Sequence, residues 1–445
     1  MASAVDVAKG RLFALLWLLV VLDLGLDSIA LRRVAEVLLA LLMLLALVDA
    51  STHIRVLALL LFGGTAAFVW RSGDWATLER GLAGALAIGA FLPVVGLVRA
   101  TVSASPAVPA VRERVGAMAA GERCTWMTGG AVLFGAILTL GYVSVLRPLL
   151  PQRLDAAEAT ALAEAGIRGL GLTIVWSPFF VASAVAGQLV PSVAAWQIVA
   201  AGGALGLLGG AIAHAMFNRG AGWPSIVRAL RRLGPVVPAC GLLVGAVVAA
   251  SGVTGWSTLQ SVVAVVPALC AVYLLLRARS HMAWVARETV ASSGRISDEV
   301  LILTASAVFG ASMPVDAVSA HAAHWVGALA GWPSVAIATT VAAIVVLGLL
   351  GVHPMLTASV LVPTLLALEW PIHGLVLALV VVFGWSLSST VAAWTLPLVV
   401  SSAAFGVPVR RLVFGANLRF VVAFGAAGCV ALSLANRILI GGEGG

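Results

Sequence analysis

Trp176-Ser177-Pro178-Phe179-Phe180-Val181-Ala182-Ser183 returns as Val352-His353-Pro354-Met355-Leu356-Thr357-Ala358-Ser359, 176 residues later. Upstream, Phe134-Gly135-Ala136 returns as Phe309-Gly310-Ala311 after 175 residues. Two copies of an apolar helix broken at proline, at nearly constant spacing, point to a chain built from two structural repeats. Chance similarity between apolar segments is the alternative.

The composition around these phrases sets the class. Hydrophobic residues make up 62% of the 445 and charged residues only 10%, with a mean hydropathy of +1.11. A soluble interior has no use for that much apolar surface, and many stretches approach the roughly 20 residues that cross a bilayer. The expected class is all-α, a polytopic helical membrane protein. It has about 11 spans plus two broken, re-entrant hairpins, at about 160–190 and 333–368. Spans near 12–30, 34–49, 54–70 and 81–98 come first, and an arginine-bearing linker at 99–124 separates them from the rest. The first repeat covers 125–251. The second covers 252–418 and includes a polar-interrupted helix at 373–405. A last helix and tail occupy 419–445. The first apolar run continues into Asp23 and Asp27 without a cleavage pattern and reads as a retained span.

The formal net charge is +8. Its arginines lie in short loops between apolar spans, as the positive-inside rule requires, so the charge implies no nucleic-acid partner. If each broken element enters and leaves on one side, the 99–124, 218–233, 277–297 and 406–418 loops share the cytoplasmic side with the N-terminus. The protein is then multi-pass in a bacterial inner membrane. On that count the repeats run parallel, whereas many carriers with paired broken helices have inverted repeats. Cys124, Cys240, Cys270 and Cys429 show no metal-ligand spacing and read as small packing residues. No metal site and no bound cofactor are expected.

Proline inside a helix frees a carbonyl, and in a bilayer that group must face protein, water or a ligand. Trp176, Ser177, Pro178, His353 and Pro354 therefore mark concentrated backbone polarity. The N–H groups of half-helices starting at Pro178 or Pro354 would suit an anion. A packed proline kink is the alternative at either site. His353 titrates near neutrality and is a candidate for binding substrate or carrying a coupling proton, or else for capping a helix end. Its counterpart in the first copy is Ser177. Thr357 follows one turn later. Gly384-Trp385-Ser386-Leu387-Ser388-Ser389-Thr390 offers four hydroxyls, Ser386, Ser388, Ser389 and Thr390, in a segment that reads as unwound around an ion or substrate. The alternative is that these hydroxyls bond back to helices. The matching glycine-rich stretch at Gly209-Gly210 lacks them. Asp316, beside Pro314 and followed by His321 and His324, is a second coupling candidate or an interfacial group. Arg168 could attract a carboxylate or anchor an interface. Asp23 and Asp27 are placed to pair with Arg32 or Arg33, and His214 to reach for water at a span end.

The matched breaks and the hydroxyl-rich segment resemble the ion transporter superfamily, secondary carriers of organic anions with two hairpins and two interrupted helices. Gly351-Val352-His353-Pro354, followed by an apolar run to Pro363, carries most of the likeness, which covers roughly 125–405. The Ser-Asn-Thr signature of the family's sodium-coupled dicarboxylate carriers is absent. The resemblance implies an elevator-type carrier, in many cases a homodimer, with hairpin tips contacting a small-molecule substrate.

Enzyme signatures are missing: there is no Gly-x-Ser-x-Gly, His-Glu-x-x-His, phosphate-binding loop or Cys-x-x-Cys. The expectation is a non-enzymatic secondary active transporter moving a small, anionic organic solute across the bilayer, coupled to H+ or Na+. The alternatives are a membrane-embedded envelope enzyme or assembly component, and the permease subunit of a multi-component system.

Overall fold

The computed structural model describes residues 4–105, 118, 120–138, 142–147, 150–151, 153–217, 224, 227–228, 231–234, 237–295, 297–312 and 332–443. These residues form helices and connecting turns, with no strand among them. The first helices are α1 (Ala4–Leu26), α2 (Ile29–Asp49), α3 (Thr52–Ser72), α4 (Trp75–Ser103), α5 (Ala120–Leu138) and α6 (Tyr142–Leu146). Then come α7 (Ala156–Ile174), α8 (Val181–Leu189), α9 (Ala195–Phe217), α10 (Val237–Thr254), α11 (Thr258–Arg277), α12 (Met282–Arg295) and α13 (Ser297–Ser312). The last are α14 (Pro333–Leu349), α15 (Pro354–Ala367), α16 (Gly374–Val391), α17 (Leu396–Phe405), α18 (Val409–Phe414) and α19 (Ala416–Glu443).

Among the described residues, six stretches are long and apolar enough to cross a membrane: Ile54–Ser72, Trp75–Ser103, Ala195–Phe217, Leu259–Arg277, Gly374–Phe405 and Val409–Gly441. The chain is helical and membrane-embedded. Asp316, Pro314, His321 and His324, together with the central part of the 99–124 linker, lie outside the described residues.

Local chemistry explains several boundaries. Asp155 begins α7 by accepting the Glu158 N–H at 2.7 Å. Ser257 and Gln260 form a reciprocal capping box at α11, which satisfies two N–H groups that the helix cannot. The first span ends at Leu26, earlier than its apolar run, because Asp27 takes a left-handed conformation with φ 44°. Arg32 then bonds both Asp23 (3.0 Å) and Asp27 (2.8 Å), while Arg33 turns to Glu36 and Glu79. The basic stretch expected as the 277–297 loop is mostly helix: α12 buries Val285, Ser292 and Ser293 and leaves Arg287 exposed.

The chain forms two compact units that do not follow sequence order. The first comprises Met1–Ala104, Val253–Trp325 and Met355–Glu369; the second comprises Ser105–Gly252, Val326–Pro354 and Trp370–Gly445. The four N-terminal helices are therefore no separate body: they share a compact unit with α11, α12, α13 and most of α15. Within that unit α1 and α12 approach through glycine, since a Cβ on Gly10 would strike the Val290 backbone and one on Gly294 the Asp6 backbone. Lys9, 4% exposed, pairs with Asp49 at 2.9 Å. Phe68 meets Phe309 at 5.6 Å between ring centroids.

The second unit is built around α16. In the Gly374–Phe405 stretch, 89% of the most apolar window is buried within the protein, against 22–59% for the other five. Every residue from Val376 to Val391 is buried, so this helix has protein on all sides. Its neighbours are α7, α8, α9, α14, α17 and α19. Phe383 meets Phe424 of α19 edge-on at 4.9 Å, and Gly428 admits the Phe383 ring where any side chain would collide. Overpacking of this kind costs about 1–3 kcal/mol. Gly428→Val is therefore expected to lower the stability of the full-length protein by that amount, read as a fall in melting temperature in detergent, while Gly210→Val, with open space beside it, leaves it near wild type.

Candidate functional site

The first break falls where the sequence places it, but the helix does not resume at Pro178. It resumes at Val181. Ser177 causes the delay: its Oγ accepts the Phe179 N–H at 3.2 Å and donates to the Ala136 carbonyl at 3.0 Å. Ser183 Oγ then donates to the Ser177 carbonyl at 2.7 Å, and Thr173 O accepts both the Trp176 and Ser177 N–H groups. Ser177 is fully buried and Trp176 partly so. The turn lies against glycines of α9: a Cβ on Gly202 would strike the Val175 carbonyl, and Gly206 lies beside the Trp176 indole. Small residues at this spacing let helix and turn approach closely. That contact gives the glycine-rich stretch near Gly209-Gly210 its role.

At the second break glycine, not proline, ends the helix. Gly351 sits at φ 95°, the Val352 N–H reaches back to the Leu347 carbonyl at 2.9 Å, and the Gly351 N–H to that of Gly348 at 3.0 Å. This pair of bonds is the Schellman closure of a helix C-terminus. Pro354 then opens α15, as a first-turn proline does. His353, half-buried, lies between two indoles: edge-on to Trp385 at 5.1 Å and tilted to Trp394 at 6.0 Å. Trp394 also donates to the Gly348 carbonyl at 2.7 Å.

The hydroxyl-rich segment is not unwound. Ser386, Ser388, Ser389 and Thr390 all lie in continuous helix, and the interruption follows at 392–395, before α17. Ser386 Oγ donates to the Gly171 carbonyl of α7 at 2.6 Å, and Thr390 Oγ1 to the Ser386 carbonyl at 2.8 Å. These bonds fill backbone needs and keep the segment wound. Thr395 Oγ1 donates to the Ser389 carbonyl at 3.2 Å and so shapes the interruption. Ser388 Oγ is buried without a hydrogen-bond partner among the described residues.

These contacts bring three sequence motifs onto one helix. Gly171, just before the first break, faces Ser386 and Thr390; Gly348, just before the second, faces Ser388. Thr357 is not part of this group: it belongs to the first compact unit, buried, with its Oγ1 unpartnered among the described residues. The Phe-Gly-Ala copies also differ. Gly135 of α5 approaches Leu170 and Thr173 ahead of the first break, whereas Gly310 of α13 approaches Ser359, after the second. Equal sequence spacing has not produced equal packing. At the opposite end of α16 an open cavity of about 510 Å³ is lined by Gln197, Trp370, His373 and Ile440, among others. There the His373 N–H donates to Asn436 Oδ1 at 2.8 Å.

One cluster rests on residues that sequence patterning barely marks. Arg168 is 4% exposed; its Nη1 donates to Asn417 Oδ1 at 3.1 Å and its guanidinium carbon stands 4.3 Å over the Phe217 ring. Glu164, one turn earlier on α7, accepts the Ala416 N–H at the head of α19 at 2.8 Å. Asn417 and Glu164 carry no motif; only the spacing of Glu164 and Arg168, four apart in an apolar helix, could have marked them. His214 reaches no water through Nδ1, which is buried without a partner among the described residues.

No protein-family model and no curated protein matches this chain.

Gly348 gives a direct test of the α14–α16 contact. An added methyl would collide with Ser388 Oγ, an atom that makes no hydrogen bond among the described residues. Gly348→Ala is expected to destabilise the protein by about 1–3 kcal/mol, and Ser388→Ala in the same chain to restore much of the loss. A thermal double-mutant cycle reads the coupling; additive effects would separate the two residues.

Proposed function

We propose that this chain is a secondary active transporter of a small organic anion, driven by H+ or Na+. It works in a bacterial inner membrane with its N-terminus in the cytoplasm. The observation that carries the reading is the sharing of one fully buried helix, α16, by two proline-marked breaks and a hydroxyl-rich segment. Ser386 bonds the carbonyl of Gly171 before one break, and Ser388 faces Gly348 before the other. Broken helices at membrane depth persist only where protein or a water-filled cavity receives their backbone. Carriers place substrate where such breaks meet.

In this reading the elements near 160–190 and 333–368 are re-entrant hairpins of two structural repeats, within about 11 membrane passages, and the 373–405 stretch, α16 with α17, is the interrupted helix. Trp176 and Ser177 supply one tip. His353 and Pro354 supply the other, with His353 held between Trp385 and Trp394 as the group that meets substrate or carries the coupling proton. Ser386, Ser388, Ser389 and Thr390 form the wall between the tips. The likeness to the ion transporter superfamily extends this to elevator-type movement and a homodimer.

Uptake of a panel of labelled carboxylates into proteoliposomes, with imposed proton or sodium gradients, tests the reading. Gradient-dependent uptake of at least one is expected, and His353→Ala should abolish or uncouple it while leaving the melting temperature near wild type. No uptake under either gradient would overturn the proposal. Unchanged uptake with an unchanged pH profile in the variant would remove His353 from the site.

A further inference from the structure

Arg168 is a buried cation that no carboxylate among the described residues contacts directly, although Glu164, one turn away, acts on its charge across a distance. Among the described residues it forms no ion pair; its polar partner is Asn417 Oδ1, and its Nε has no hydrogen bond. Asn417 is fully buried, and its Nδ2 is unpartnered as well. Both donors stand at the N-terminus of α19, a helix of 28 residues, where unpaired N–H groups and the helix dipole favour negative charge. The Phe217 face and the distant Glu164 offset part of the cost of burying this charge, but buried donors left unmade remain a cost. One small anion would answer all of these needs.

A carboxylate already occupies part of this place. Glu164 Oε1 accepts the first amide of α19, from Ala416. It gets there because Gly415 lacks a side chain: a Cβ at that position would collide with Glu164 Oε1. Glu164 nevertheless makes no ion pair with Arg168, so it satisfies the helix end and leaves the guanidinium open. Arg168, Arg419 and Arg411 all act on Glu164 electrostatically, so three guanidinium groups surround one carboxylate.

We propose that Arg168, Asn417 and the head of α19 form a binding site for a small carboxylate, with Glu164 as an internal carboxylate that competes for the same donors. The ligand class follows from that occupant: the first amide of the helix already donates to a planar carboxylate. The inference stands apart from the transport reading, since it concerns binding and is read in detergent without a gradient. Loss of transport leaves it intact, and its failure leaves transport untouched.

The test is the melting temperature of the purified full-length protein in sodium formate against sodium chloride at equal ionic strength. Glu164→Ala vacates a carboxylate-sized space, and formate should raise its melting temperature in proportion to the logarithm of concentration above saturation, more than it raises wild type. Glu164→Gln keeps the volume and removes the competing charge, so it serves if the alanine variant does not fold; it too should respond to formate more than wild type does. Adding Arg168→Gln to the variant that folds should abolish the response. Equal effects of formate and chloride, a response no larger than wild type's, or a response that survives Arg168→Gln would overturn the proposal.

Discussion

A helix that stops among buried neighbours leaves N–H and carbonyl groups that must find partners, and the second compact unit is organised around meeting that demand. The two breaks meet it differently. At Trp176-Ser177-Pro178 side chains do the work, with Ser177 and Ser183 hydroxyls bonding backbone atoms and the turn resting on the glycine face of α9. At Gly351-Val352-His353 the backbone closes on itself through a left-handed glycine, and the Trp394 indole serves the Gly348 carbonyl. The same apolar phrase thus ends a helix through a serine in one copy and a glycine in the other. Proline marks both places and is the direct cause of neither.

Close approach is the second theme. Apolar helices in lipid gain little from hiding apolar surface and associate through tight packing and hydrogen bonds. Gly171 and Gly348 let α7 and α14 come against the hydroxyls of α16, and Gly202, Gly206 and Gly209 let α9 meet the first break and α19. These glycines account for a helix buried over its whole circumference. They also leave Ser386 and Thr390 committed to carbonyls.

The cluster at the head of α19 follows a different logic. Glu164 and Arg168 lie one turn apart on α7 yet serve different partners, the Ala416 amide and the Asn417 side chain. The two side chains act on each other electrostatically without a direct contact, which leaves the guanidinium Nε without a hydrogen bond among the described residues.

Much of this protein was legible in its sequence. Apolar runs of about 20 residues point to a helical membrane protein, because a helix that long satisfies its own backbone groups in lipid. The stretches near 34–49, 54–70, 193–217 and 258–276 are helical as α2, α3, α9 and α11, and the last three are long and apolar enough to cross. Proline and glycine mark the breaks because they alter backbone geometry locally. The tertiary structure alone decided the rest. Ser386 to Thr390 stay helical because carbonyls of α7 and of their own helix are within reach, which residue type cannot reveal. The 277–297 stretch is helix because one of its faces packs against α1 and α4. The compact units cut across the sequential blocks, and Asn417 joins Arg168 from 249 residues away. Hydropathy and spacing act along the chain, whereas partners for buried donors are chosen in space.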